Sequence, residues 1–177
     1  MRYAVNVVLL FTLVISFSSC GYKPSAKYAR TIVGERISTS VTISMQDPEN
    51  TVIIKDALDS AIVKVFHASL RPRNRADTHL NISMNDIKYQ PVQYNNEGFV
   101  VAYRAYIKLR IIRKSQGKKE LYITRGTYDF TIDANTIVSN QQRFEAIESS
   151  SIKAIKSFVA KVSAQGARRQ KEEERKR

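Results

Sequence analysis

The segment FVVAYRAYIKLRII (99–112) alternates without a break. Phe99, Val101, Tyr103, Ala105, Ile107, Leu109 and Ile111 fall on one side, and Val100, Ala102, Arg104, Tyr106, Lys108, Arg110 and Ile112 on the other. A strand with this pattern has one face for a core and one face of cations, which predicts a sheet covered by helices on one side only. Just downstream, Ser115-Gln116-Gly117-Lys118 fits a hairpin turn, and residues 121–132 return as the next strand, with Gly126 read as a bulge or bend. The tip of that hairpin carries Arg113, Lys114, Lys118 and Lys119.

Working upstream, residues 76–89 read as a strand with Leu80, Ile82 and Met84 on one parity and Ile87 and Tyr89 on the other, so a bulge is expected near Asn85. Residues 91–98 read as a turn. Ile37, Thr39, Val41, Ile43 and Met45 alternate with hydroxyl residues as a first strand. Asp47-Pro48 then supplies an N-cap and a proline for the first helical position. Ile54, Ala57, Leu58, Ala61, Ile62, Val65 and Phe66 form one helical stripe that ends by Leu70 and Pro72. Towards the C-terminus, Ser139 or Asn140 caps a second helix whose stripe includes Phe144, Ile147, Ile155, Phe158 and Val162, with Gly166 as its stop. Residues 167–177 are almost all charged and read as a solvated, flexible tail. The order strand, helix, three strands, helix predicts an α+β two-layer sandwich: two helices packed on one face of a four-stranded mixed sheet, in a single domain over residues 36–166.

The chain has 177 residues, 43% of them apolar, which excludes long-range disorder as its main description. One cysteine and two histidines leave zinc-finger, thiol-redox and iron–sulfur chemistry without ligand sets, and no cofactor or metal is called for. The formal charge of +13, with pI near 10.0, is the property left to explain.

Residues 1–19 read as a signal peptide: Arg2 gives a positive start, and an uncharged run follows that is shorter than the roughly 20 residues a membrane-spanning helix needs. A permanent single-span anchor is the minor alternative. The run ends in Phe17-Ser18-Ser19-Cys20, which resembles a bacterial lipobox. Small residues before the cut fit the peptidase, and the Cys20 thiol would carry the lipid, so Cys20 is read as an acylated anchor and not a nucleophile. Phe17 departs from the usual leucine. Gly21 stands where an inner-membrane lipoprotein has aspartate, so the resemblance implies the outer membrane. Residues 20–35 read as the lipidated tether.

Cys20-Gly21-Tyr22 with Pro24, the first strand leading through Asn50-Thr51 into a long helix, Ala76-Asp77 with Leu80, Tyr103-Arg104, and a terminal helix rich in Ala, Ile and Val occur in an order that resembles the LPS-assembly lipoprotein LptE family. Asp47-Pro48 and the charged tail do not match that pattern. The resemblance implies an accessory subunit and not an enzyme: an outer-membrane lipoprotein on the periplasmic side that helps the β-barrel protein LptD assemble, plugs it, and takes part in delivering lipopolysaccharide to the outer leaflet. Arg or Lys can replace the divalent cations that hold lipopolysaccharide phosphates and carboxylates together. Arg104, Lys108 and Arg110 on one strand face, with Arg113, Lys114, Lys118 and Lys119 at the hairpin tip, are the candidate head-group contacts. Solubility alone would also account for such positions. For Arg71, Arg73 and Arg75, after the first helix, a helix-dipole and solubility role is the plainer reading.

Other classes fare worse. Nucleic-acid binding suits the charge but conflicts with export, and the sequence has no RNP-like aromatic pair or recognition helix. His67 and His79 belong to no triad, and hydrolase or phosphate-loop motifs are missing from the sequence. Glu145 and Glu148, with Asp129 or Asp133, do not establish a glycan-cleaving pair. Asn81-Ile82-Ser83 is a glycosylation pattern that falls within an expected strand. The remaining alternative is a structural or assembly lipoprotein of another envelope complex.

Overall fold

The computed structural model describes residues 34–43, 48–66, 69–134 and 136–176, with the side chains of residues 48–51 and 85–86 left out. Residues 1–19, read above as a signal peptide, Cys20, most of the expected tether, Met45, Asp47 and His67 lie outside the described residues. Strand β1 (Ile37–Ile43) is followed by helix α1 (Pro48–Phe66), a 3₁₀ turn (Arg73–Arg75), β2 (Thr78–Tyr94), β3 (Val100–Ser115), β4 (Lys118–Thr131) and helix α2 (Asn140–Glu174). The sheet order is β1-β2-β3-β4. β1 runs parallel to β2, so the chain must cross over between them, and α1 is that crossover. The other pairings are antiparallel. Leu70 adds a one-residue parallel bridge to Ile37. The class is the expected α+β sandwich with a mixed sheet.

Burial follows the expected alternation of β3 from Ala105 onward, but not at its start, where Phe99 is 41% exposed and Ala102, of the other parity, is buried. Ala105, Ile107, Leu109 and Ile111 are buried beneath the helices, while Lys108 and Arg110 are exposed. Leu80, Ile82 and Met84 from β2 and Tyr122 from β4 complete the floor of the core. Leu58, Ala61 and Ile62 of α1 and Ile147, Ile155, Phe158 and Val162 of α2 form its roof. Phe158 is fully buried and meets Tyr122 edge-on, with ring centroids 5.0 Å apart, a contact worth about 1 kcal/mol beyond area burial. Ser139 caps α2: its hydroxyl accepts from Gln142 N at 3.2 Å, and Gln142 Oε1 accepts from Ser139 N at 3.0 Å.

Register settles several local expectations. The β3–β4 turn is the expected one, with Gln116 at φ 48° and Gly117 at φ 73°, the pair of positive angles a two-residue hairpin needs. The register shift between Met84 and Ile87 is the expected bulge. Three expectations are corrected. First, β2 does not turn at Pro91 but runs on to Tyr94. β1 pairs only with Thr78–Met84, so the second half of β2 is a sheet edge, where proline's missing N–H is tolerated.

Second, Gly126 is neither bulge nor bend. It pairs with Ile107 in unbroken register, and a Cβ there would stand 1.9 Å from the Ser150 carbonyl oxygen and 2.8 Å from Ala154 N. Glycine is what lets α2 lie directly on β4. Third, α2 does not stop at Gly166, which is buried inside it; the charged segment stays helical to Glu174. Arg169, three residues past Gly166, reaches Glu120 on β4 at 3.1 Å, so the sheet holds the helix beyond the point where the sequence suggests an end. Replacing Gly126 with alanine should lower the unfolding free energy by about 3 kcal/mol, read from the urea midpoint, because backbone, not a flexible side chain, has to move.

Candidate anion-binding face of the sheet

The sheet face turned away from the helices gathers uncompensated cations. Strand register sets Lys108 of β3 opposite Arg125 of β4. Arg110 lies between Ser83 and Ile123, and Tyr106 between Lys88 and Thr127. These side chains line one shallow cleft whose apolar floor includes Ile123, 43% exposed. Among the described residues, none of Lys88, Lys108, Arg110 and Arg125 makes an ion pair. Like charges directly opposed on neighbouring strands destabilise a sheet. The Lys108–Arg125 pair is therefore a local cost that a bound anion would remove, and the planar Arg forks suit phosphate or carboxylate oxygens.

The residues singled out from the sequence separate into four groups. Lys108 and Arg110 face the cleft as expected. Arg104 shares their face but is engaged: Nε and one terminal nitrogen donate to the two oxygens of Asp129, each at 2.6 Å. That fork raises the Arg104 pKa above its ordinary value and holds the Asp129 carboxyl below its own.

Arg113 is corrected. It is not at the exposed tip but on the opposite, helix-covered face, 4% exposed, because its odd number gives it the parity of Ile111. There it donates to Glu120 Oε2 at 3.0 Å. Lys114, Lys118 and Lys119 do stand at the hairpin end, and Lys114 faces Lys119 across the strands, a second like-charge pair.

Residues 38–162 match the LptE family, described as lipopolysaccharide-assembly. The chain belongs to that family. All the cleft cations lie inside the LptE match, whereas residues 34–36 and the last turns of α2 lie outside it. The fold is also similar to a minor lipoprotein from Acinetobacter baumannii, at 12% identity over 74% of this chain and 92% of that one, with a TM-score of 0.42. A putative lipoprotein from Caulobacter crescentus matches at 11% identity over 81% and 98%, with a TM-score of 0.49. The rare lipoprotein B of Shewanella oneidensis matches at 12% over 77% and 96%, with a TM-score of 0.37. No curated protein matches the chain. Membership of the LptE family rests on the matched segment alone.

Of the side chains weighed for other chemistry, Glu148, Glu145, Asp129 and His79 have other partners in this LptE-family domain. Glu148 sits between the helices, accepting from Lys64 Nζ at 2.7 Å and from the Ser60 hydroxyl. Burial pushes its carboxyl up, but those two bonds outweigh it and leave the pKa below the ordinary value. Glu145 accepts from Gln141 at 2.6 Å, and Asp129 is held by Arg104. His79 lies between the Ser38 and Ser40 hydroxyls, at 2.8 and 3.1 Å. Asn81-Ile82-Ser83 is part of β2. Two cleft residues, Lys88 and Arg125, escaped the sequence reading. The two-residue hairpin places Arg125 across from Lys108 by simple counting, so that signal was present; Lys88 reaches Tyr106 only through the bulge, which shifts the β2 register.

Glu120 ties the hairpin to α2. It accepts from Tyr122 Oη at 2.6 Å, from Arg113 at 3.0 Å and from Arg169 at 3.1 Å. The Tyr122 bond, ahead of burial working the other way and of the two guanidiniums, holds its pKa at about 2. Burial and the neighbouring carboxylate push the Tyr122 hydroxyl up to about 12. A carboxyl whose folded pKa is depressed contributes stability that is complete above its ordinary value of 4.5 and lost as the pH falls towards about 2. Glu120→Gln should therefore flatten the dependence of stability on pH across that window in urea titrations. At neutral pH it should cost about 2 kcal/mol, because the buried Arg113 loses its carboxylate.

Proposed function

We propose that this protein is an outer-membrane lipoprotein, acylated at Cys20 and facing the periplasm, that assists assembly of the LptD β-barrel, plugs it, and takes part in delivering lipopolysaccharide to the outer leaflet. The LptE match over residues 38–162 carries the reading. The cationic cleft supplies chemistry suited to it. Lys88, Lys108, Arg110 and Arg125 present donors on a surface that neither described helix covers, and Tyr106 and Ile123 add apolar area for the carbon skeleton of a sugar. The role assigned to the cations is to hold phosphate and carboxylate groups while no bond is made or broken. Arg104 serves the cleft indirectly by neutralising Asp129, a carboxylate on this face of β4.

Affinity purification of the tagged protein should recover one large heat-modifiable barrel in stoichiometric amount, and depletion should leave lipopolysaccharide off the cell surface. Recovery of a different stoichiometric partner with surface lipopolysaccharide intact would assign the protein to another envelope complex. Replacing Lys108, Arg110 and Arg125 with glutamine should weaken lipopolysaccharide binding by at least about tenfold with the melting temperature unchanged or raised, because the opposed charges are removed. Arg104→Gln should cause a smaller loss, about threefold, because it takes no free donor from the cleft but leaves Asp129 uncompensated on the same half-exposed face. Equal losses from both variants would count against the cleft as the contact surface.

A further inference from the structure

At the β3–β4 hairpin end of the sandwich, Gly34, Asp77, Thr78, Arg113, Lys118 and Arg169 line a hollow of about 160 Å³. Its wall includes Thr78, which is 1% exposed and whose hydroxyl has no hydrogen-bond partner among the described residues. A buried hydroxyl left in that state costs stability until something bonds to it. Gly34, at φ 83°, keeps the space beside it free, since a Cβ there would stand 3.7 Å from Thr78 Oγ1 and 3.1 Å from Asp77 Cβ. The carboxylates near the hollow are already answered. Arg36 donates to both oxygens of Asp77, at 2.7 and 3.1 Å, and Glu120 accepts from Arg113 and Arg169. Lys118 makes no ion pair among the described residues. Arg36, Arg113, Lys118 and Arg169 thus stand against Asp77 and Glu120 alone, an excess of positive charge in which two resident carboxylates favour a monoanion over a dianion.

More free cations surround the hollow. Lys114 and Lys119 are directly opposed in the hairpin register and, with Arg73 and Lys118, line an adjoining depression. Among the described residues, Arg73, Lys114 and Lys119 make no ion pair either. In the lumen of a barrel such groups meet protein and little water, so each one left without a counter-charge destabilises the complex. Lipopolysaccharide answers the cleft cations in the reading above. These cations have no such answer. Gly34 and Arg169 also lie outside the segment that matches the LptE family, so the hollow is not given by that match.

We propose that the hairpin end is a protein contact of the plug: an acidic segment of the barrel partner lies along Lys114, Lys118 and Lys119, and one of its aspartate or glutamate carboxylates enters the hollow, accepting from the Thr78 hydroxyl and from Lys118 Nζ. The proposal rests on the barrel reading and adds which end of the domain meets the partner and through what chemistry. The carboxylate satisfies the orphaned hydroxyl and separates the opposed lysines by a negative charge. The residues involved are distinct from the four cations of the mid-sheet cleft.

The test uses the full chain purified together with its barrel. A zero-length carbodiimide, which joins an amine only to a carboxyl group in contact with it, should link Lys118 to an aspartate or glutamate of the barrel, located by mass spectrometry. Thr78→Val separates binding from folding. Losing an orphaned hydroxyl should leave the melting temperature of the isolated chain unchanged or raised, yet the complex should dissociate at least about fivefold faster, because the carboxylate loses a donor. A purely structural threonine would lower both. Replacing Lys114, Lys118 and Lys119 with glutamine should speed dissociation by at least about tenfold with circular dichroism unchanged and lipopolysaccharide binding within about twofold. The Lys108, Arg110 and Arg125 variant should do the reverse, losing lipopolysaccharide and keeping the barrel. If the unaltered chain recovers no barrel, this proposal falls together with the barrel reading. A barrel recovered with Lys118 linked only within its own chain, a complex indifferent to Thr78→Val or to the lysine set, or a lysine set that loses lipopolysaccharide and keeps the barrel would overturn this proposal alone.

Discussion

The exposed face of β3 and β4 can carry Lys108, Arg110 and Arg125 only while water reaches it, because desolvating unpaired cations costs several kcal/mol each. That constraint organises the molecule. Both helices must share the other face, so α1 and α2 pack against each other as well as on the sheet, and Glu148 joins them through Lys64 and Ser60. The parallel β1–α1–β2 crossover and the long return of α2 are two ways of placing a helix on the one side available. The side left open is a surface on which the domain can meet an anion.

Close approach is the second determinant. Gly126, with Ser150 and Ala154 facing it, brings the α2 backbone onto β4, and Phe158 then drops beside Tyr122. Farther along, Glu120 gathers Tyr122, Arg113 and Arg169, so the same helix is joined to the hairpin by charge where small residues give out. Basic residues in this chain thus do different work according to parity. Lys108 and Arg110 meet solvent, Arg104 is neutralised by Asp129, and Arg113 belongs to the interior.

Local pattern carried much of this. Alternation in residues 105–111, the Gln116-Gly117 turn, the three-and-four spacing of both helices and the Ser139 cap were legible because each depends on neighbours within a few positions. The LptE resemblance rested on the order of such elements, and the match over residues 38–162 bears it out. Readings of single residues that depend on distant partners fared less well. Pro91 looked like a turn because the sequence does not say that β1 stops short of it. Gly126 looked like a bulge, and Gly166 like a stop, because a helix lying on top of a strand is invisible to propensity.

By itself, then, the sequence determined the class of fold, the side of the sheet that is core, and the presence of a cationic face, all consequences of side chains alternating along a strand. It also contained the rule that pairs Arg125 with Lys108, since a two-residue hairpin makes register a matter of counting. The same count pairs Arg104 with Asp129 and Arg113 with Glu120. Tertiary structure alone decided the contacts that counting cannot reach: Arg169 comes to Glu120 from a helix far along the chain, and the β2 bulge brings Lys88 to Tyr106. Charge pairing depends on distance in space, and that distance exists only after strands and helices have packed.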